Sequence, residues 1–276
     1  MVIFMTIGEA LRKERLKLGL TQSQMCEGIV SRPFYAKVES GKHSINADLL
    51  FKILTIHQID VVEFYSLIKD IYISPQEKLL QQLQDNMEFA VNTVDFQKLE
   101  KYKKKILLTN NNILKLRTIV TIAYFKDDLS SLDSTIQKEL KKEFDEGKNW
   151  INRPDILKLF ANTMPIWLPE ELDFFIGRLL SVVKKNNNLS ELMLERYFRI
   201  FGNYLVTCYT QKNTGNHVNE VINYMLNEPA SFHLMIYKIH TSYMKALFDG
   251  DISKAKNIKK SLGEYGYKET IANWSL

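Results

Sequence analysis

Two cysteines, Cys26 and Cys208, are all that this chain of 276 residues contains. That number excludes a disulfide framework. Both lie in apolar helical patterns, so they read as buried free thiols of a reducing compartment. Proline (6) and glycine (11) are also scarce, which leaves few points where regular structure has to stop. Alternating polar and apolar runs are nearly missing, and this argues against sheets. No stretch approaches the roughly 20 apolar residues of a membrane helix. The start, MVIFMTIGEALRKER, lacks the basic segment and long apolar core of a secretory leader. A cytoplasmic protein is expected. Phosphate loops, HExxH and CxxC are missing as well. His233 and His240 share a helical face but stand two turns apart, too far to hold one metal without a third group. Neither catalysis, nor a metal, nor a cofactor is expected.

What is present is 45% apolar and 25% charged, the balance of a globular protein. Apolar residues recur at spacings of three and four almost throughout, which predicts an all-α protein. Its length exceeds one ordinary domain and predicts a small first domain and a larger second one. The net charge is +5, and the first 52 residues carry eight Lys or Arg against five Asp or Glu. Most of the excess therefore sits in under a fifth of the chain, which permits a nucleic-acid partner there.

The punctuation of that segment is dense. Helix signals begin right after Met5. The first helix spans about Thr6 to Leu18, with Ile7, Ala10, Leu11 and Leu18 inward and Arg12, Arg15 and Lys17 largely outward. Gly19 ends it. Thr21 and Gln24 form a capping box for a second helix with Met25 and Ile29 on its apolar side. Ser31 can cap a third helix, where Pro33 is tolerated in the first turn. Tyr35 and Val38 point inward, Arg32, Phe34 and Lys37 outward, and Gly41 stops the helix. Asn46 caps a fourth helix with Leu49, Leu50, Ile53 and Leu54 buried. Asp60 caps a fifth with Phe64 and Leu67 buried. Two short helices joined by a tight turn make a helix-turn-helix, whose second helix fits the major groove of DNA.

The segments IGEALRKERLKLGLTQ, VSRPFYAKVESGK and ADLLFKIL resemble, together, the five-helix Xre or lambda-repressor type of DNA-binding domain over residues 6–68. The resemblance implies that Gln22 contacts a phosphate or braces the recognition helix. It implies that Ser31, Arg32, Phe34 and Lys37 face DNA, with Arg32 on a guanine and Phe34 on a thymine methyl or a sugar, and that Lys42 takes a phosphate. Arg12 and Arg15 are further DNA candidates, although Arg15 can instead pair with Glu39 inside the domain. Phe34 can equally pack on a neighbour.

The domains are expected at 1–69 and 76–276, with a linker at 70–75 and Pro75 opening the next helix. Beyond it, breaks fall at 92–95, 109–112, 126–133, 145–150, 164–171, 184–190, 211–216, 227–231 and 249–253. Roughly five hairpins of about 35–40 residues result, the period of a tetratricopeptide-type solenoid. Its concave face suits an extended peptide. Arg196, Arg199 and Asn203 fall on one helical stripe, His233, Tyr237, His240 and Met244 on another, and Trp150, Asn152 and Arg153 cluster near a helix start. Each is a ligand candidate, and each can also be an ordinary solvated face.

The whole layout resembles the Rgg/GadR/MutR regulators: an Xre-like head ending in FYAKVESGKHSI, followed by about 200 residues of degenerate hairpins. The fold so implied is an N-terminal five-helix lambda-repressor-like domain plus a right-handed, tetratricopeptide-like C-terminal solenoid. The resemblance also implies a homodimer acting on double-stranded DNA at a promoter inverted repeat, and control by a short signalling peptide. It favours Asn152 and Arg153 as ligand contacts and gives residues 251–276 a part in the dimer. The alternative is a tail that binds a protein partner or only dimerises.

Overall fold

The computed structural model describes residues 5–93, 95–144, 149–186, 188–212, 215–228, 231–272 and 274. Parts of the breaks expected at 92–95, 145–150, 184–190, 211–216 and 227–231 lie outside these residues. Among the described residues the regular structure is helical throughout, with no strand. It divides into two compact units, Met1–Gln82 and Leu83–Leu276. The boundary falls within helix α6 (Pro75–Asn92).

The first unit holds α1 (Ile7–Lys17), α2 (Gln22–Cys26), α3 (Arg32–Glu39), α4 (Ala47–Ile56) and α5 (Val61–Ile68). Their starts follow from side chains that satisfy otherwise orphaned amides. Thr6 and Glu9 close a capping box on α1, and Thr21 and Gln24 close another on α2. The Asn46 Oδ1 accepts from the Leu49 amide at 2.9 Å, and the Asp60 Oδ1 from the Glu63 amide at 2.7 Å. Ser31 stands at the start of α3 without a side-chain cap, and Pro33 fills that first turn. Ala10, Leu11, Met25, Tyr35, Val38, Ile53, Leu54 and Phe64 form the core of the unit. Leu18, expected inward, is 43% exposed because it is the residue that leaves α1. Leu49, Leu50 and Leu67 are only half-buried.

The second unit continues α6 into α7 (Phe96–Leu107), α8 (Asn112–Phe125), α9 (Ser134–Glu143), α10 (Pro154–Thr163), α11 (Pro169–Lys185), α12 (Glu191–Thr210), α13 (Val218–Asn227), α14 (Met235–Phe248) and α15 (Ile252–Leu262). Alternate helices α8, α10, α12 and α14 lie side by side in that order, and α7, α11, α13 and α15 pack against the row. This is the layered arrangement of tetratricopeptide-like hairpins. The core is continuous, from Leu116 and Val120 on α8 to Ala255 on α15. Its aromatic centre gathers Phe144, Trp150, Phe160, Trp167 and Phe175, with ring centroids 5.1 Å apart for Phe144 and Trp167 and 5.8 Å for Trp150 and Phe160. Such edge-on pairs each add about 0.5–1.5 kcal/mol beyond the area they bury. Cys26 and Cys208 are both buried free thiols.

Candidate DNA-binding helix and ligand groove

In the first unit, α3 is fixed from its inner side. Tyr35 and Val38 are buried, and Glu39 is the polar anchor. Its carboxylate accepts from Arg15 Nε at 2.6 Å, from Arg15 Nη2 at 3.0 Å and from Gln22 Nε2 at 2.9 Å. Arg15 Nη1 also donates to the Leu20 carbonyl at 2.9 Å. One carboxylate thus ties α1, α2 and α3 together. Burial alone would push the Glu39 carboxyl up, but Arg15, Gln22 and Tyr35 outweigh it and hold it below the usual range. His57 Nε2 lies 2.9 Å from the Met25 carbonyl and joins the end of α4 to α2. The turn before α3 passes through Gly28 at φ +71°, a left-handed conformation that glycine adopts without strain.

This bracing corrects one expectation. Arg15 is not a free DNA contact, because its guanidinium is spent on Glu39 and Leu20, and its side chain is only 11% exposed. Gln22 braces α3 through its bond to Glu39. Phe34 is half-buried and stacks on His43 with ring centroids 6.0 Å apart, so it packs on a neighbour and is only partly open. Arg12, Ser31, Arg32, Lys37 and Lys42 are exposed. Among the described residues none of the four cations has an ion-pair partner. An exposed helix start bearing unpaired cations, set on a buried polar brace, can enter a groove and meet phosphates or base edges.

In the second unit a groove of about 500 Å³ runs over the row of alternate helices. α6 supplies Gln84 and Glu88, α8 supplies Arg117 and Thr121, α10 supplies Lys158 and Asn162, α12 supplies Arg199 and Asn203, and α14 supplies His240. An adjoining cavity of about 400 Å³ shares Arg117, Lys158 and Arg199 and adds Asp155, Glu195 and Arg196. The Arg196, Arg199 and Asn203 stripe therefore faces this space. Asn203 Nδ2 donates to the Ala161 carbonyl at 2.9 Å, which sets the amide plane. Arg199 reaches Glu195 at 3.3 Å and the Tyr237 hydroxyl at 3.5 Å. Tyr237 also donates to Glu195 at 3.0 Å, so it steers Arg199 from behind. His240 packs on Trp274 with ring centroids 4.8 Å apart, and burial pulls its imidazole down to about 4.

The other candidates stand elsewhere. Trp150 is buried in the aromatic core, and the turn it anchors is held by Tyr197, whose hydroxyl donates to the Ile151 carbonyl at 3.1 Å. Asn152 and Arg153 follow on the outside and do not line the groove. Arg153 is turned to Asp155 at 2.6 Å. His233 is exposed, 3.7 Å from Glu191. Sequence spacing missed Glu88, Arg117 and Lys158. Arg117 Nη2 donates to Glu88 Oε1 at 3.3 Å, and Lys158 Nζ donates to the same oxygen. Burial pulls the Arg117 guanidinium below its ordinary value, against the pull of Glu88.

Residues 11–64 match the helix-turn-helix family, and the first unit is a helix-turn-helix DNA-binding domain. No curated protein matches the sequence. Solved structures do match over nearly the full length. A proposed transcriptional regulator from Listeria monocytogenes EGD-e is 20% identical over 96% of this chain and 93% of its own, with a TM-score of 0.73. The SHP pheromone receptor Rgg2 of Streptococcus dysgalactiae is 12% identical over 95% of each chain, with a TM-score of 0.67. PlcR of Bacillus thuringiensis, solved with the peptide PapR7 and DNA, is 16% identical over 97% and 99%, with a TM-score of 0.57. The family match and the fold define a helix-turn-helix first unit followed by a helical second one. The fold itself is the one shared by Rgg2 and PlcR: a helix-turn-helix head and a tail of tetratricopeptide-like hairpins. Among the described residues no helix is long and apolar enough to cross a membrane.

Proposed function

We propose that this chain is an Rgg-type transcription regulator. It is a cytoplasmic homodimer that reads a promoter inverted repeat and responds to a short signalling peptide held over α8, α10, α12 and α14. It acts by binding and not by catalysis. One observation carries the reading: Arg199 and Asn203, from a single stripe of α12, open into a groove whose other polar groups come from α6, α8, α10 and α14. Side-chain amides and guanidinium groups are what the backbone of an extended peptide needs, and the apolar lining between them takes its side chains. The similarity to a pheromone receptor and to a regulator solved with peptide and DNA supports the same assignment.

Two heads of one dimer sit on successive major-groove faces, and phosphate contacts supply much of the affinity. Peptide controls DNA binding only through unequal affinity for the DNA-competent and incompetent states. The test is selection of genomic fragments by the purified protein, with and without extract of the producing culture, beside an Arg32→Ala variant. The expected result is an inverted repeat that Arg32→Ala loses and that the extract strengthens or weakens. Enrichment that ignores both the variant and the extract overturns the reading.

A further inference from the structure

The polar groups of the groove are unevenly matched. Arg117 is 8% exposed, and its Nε makes no hydrogen bond. The neighbouring Thr118 hydroxyl, on the same groove wall, is buried and equally unpartnered. Arg117 and Lys158 share a single counterion, Glu88, and both converge on its Oε1. The other two carboxylates of the lining are already engaged, Asp155 by Arg153 and Glu195 by Arg199 and Tyr237. Arg196 has a sulfur partner, Met193 Sδ at 3.1 Å, and no carboxylate among the described residues. The space where the two cavities meet therefore holds more cation than anion, around a guanidinium withdrawn from water.

Burying an arginine with one shared oxygen, and at 3.3 Å, is an incomplete solution. A guanidinium binds best in a two-pronged pair with both oxygens of a carboxylate. A carboxylate entering from the groove completes that geometry, and it exchanges one charge-assisted contact for another. Glu88 is half-exposed, at 43% for its side chain, so water receives it when it is displaced.

We propose that Arg117 and Lys158 form a carboxylate receptor, and that Glu88 occupies it until a carboxylate of a bound peptide takes its place. This rests on the peptide reading of the groove and adds the charge that the peptide must bring. The carboxylate is either the C-terminus of the peptide or an acidic side chain, because both present the same pair of oxygens. Glu88 acts as a built-in competitor: it lowers affinity for every acidic peptide and leaves neutral ones unaffected.

The test uses the full-length protein and four pooled libraries of eight-residue peptides, read by capture and mass spectrometry. The pools combine a free or an amidated C-terminus with the presence or absence of one Asp. The wild type is expected to retain pools that bear a carboxylate about 10-fold over the neutral, amidated pool. Lys158→Met, at a partly exposed position, should lose that preference. Glu88→Gln should strengthen it by about 3–10-fold, since the competitor is gone. Preference for the free-terminus pool without Asp assigns the receptor to the C-terminus, and preference for the amidated Asp pool assigns it to a side chain. Equal retention of the neutral amidated pool overturns the receptor and leaves the peptide groove standing. Retention of no pool by any variant overturns both.

Discussion

Glu39 shows how one residue can decide whether a helix is usable. Its carboxylate is almost wholly buried and receives three donors from two other helices. Removing one partner of such a pair leaves an uncompensated buried charge, a loss of about 3–5 kcal/mol in comparable sites. Glu39→Gln keeps the shape but strands Arg15, so hydrogen exchange of the α1 and α3 amides should accelerate by two orders of magnitude or more. The pH dependence follows from the same carboxyl. Its folded pKa is depressed, so its contribution is complete above the unfolded value of about 4.3 and is lost as pH falls through the folded one. Exchange in wild-type α3 should thus quicken below about pH 4, and Glu39→Gln should lose that acid dependence. His240 behaves in the opposite charge sense. Burial holds it near 4, so it stays neutral in the fold while the unfolded chain protonates near 6.5. Stability from that site is complete above about 6.5 and declines as pH falls toward 4. An NMR titration of the His240 ring should show a midpoint near 4, and a midpoint near 6.5 would mean that the ring is solvated.

At the scale of elements, α1 and α3 meet through a glycine. A Cβ on Gly8 would stand 2.0 Å from the Val38 carbonyl oxygen and 2.9 Å from its carbon, both backbone atoms that cannot rotate away. Gly8→Ala should therefore push α1 off α3, cost about 1–3 kcal/mol as other overpacked cores do, and weaken DNA binding without touching any exposed cation. Gly28→Ala is the control. Nothing lies within 4 Å of its Cβ, so only the left-handed backbone opposes it, at about 1 kcal/mol. A gel shift of both variants separates the two mechanisms, and equal binding by Gly8→Ala and the wild type would show that the recognition helix does not depend on that contact. The elements also show what was legible in the sequence. Helix starts were readable because caps are local: Thr21 with Gln24, Asn46 and Asp60 each act within three residues. The α12 stripe was readable for the same reason, since Arg196, Arg199 and Asn203 share one helix. Glu88, Arg117 and Lys158 were not. They meet across 29 and 70 residues, and only the stacking of α6, α8 and α10 brings them together. Trp150 misled in the other direction. Its neighbourhood of Asn152 and Arg153 is polar in sequence, yet the indole is drawn into the aromatic core, and the polar pair is left outside the groove.

For the whole molecule the decisive quantities are charge and spacing on DNA. Arg12, Arg32, Lys37 and Lys42 are exposed and unpaired among the described residues, so the proposed dimer would bring four such cations twice. A phosphate contact releases counterions and a base contact reads sequence, so the two can be told apart by salt. Lys42→Ala should weaken binding to specific and random duplexes alike and flatten the plot of log affinity against log salt by about 2 per dimer, one unit per head. Arg32→Ala should instead cost about 1–3 kcal/mol per half-site on the selected operator alone, and relax preference at one base pair of each half-site. Spacing gives the stricter test. Two heads held by one dimer face the same side of the duplex only when the half-sites are separated by whole turns of about 10.5 base pairs. Inserting 5 base pairs between the half-sites should abolish the cooperative complex, and inserting 10 should restore part of it. If the 5-base-pair insertion is harmless, each head binds independently. On the peptide reading proposed above, control could then not act through the geometry of a dimer and would have to lie in access to α3 itself.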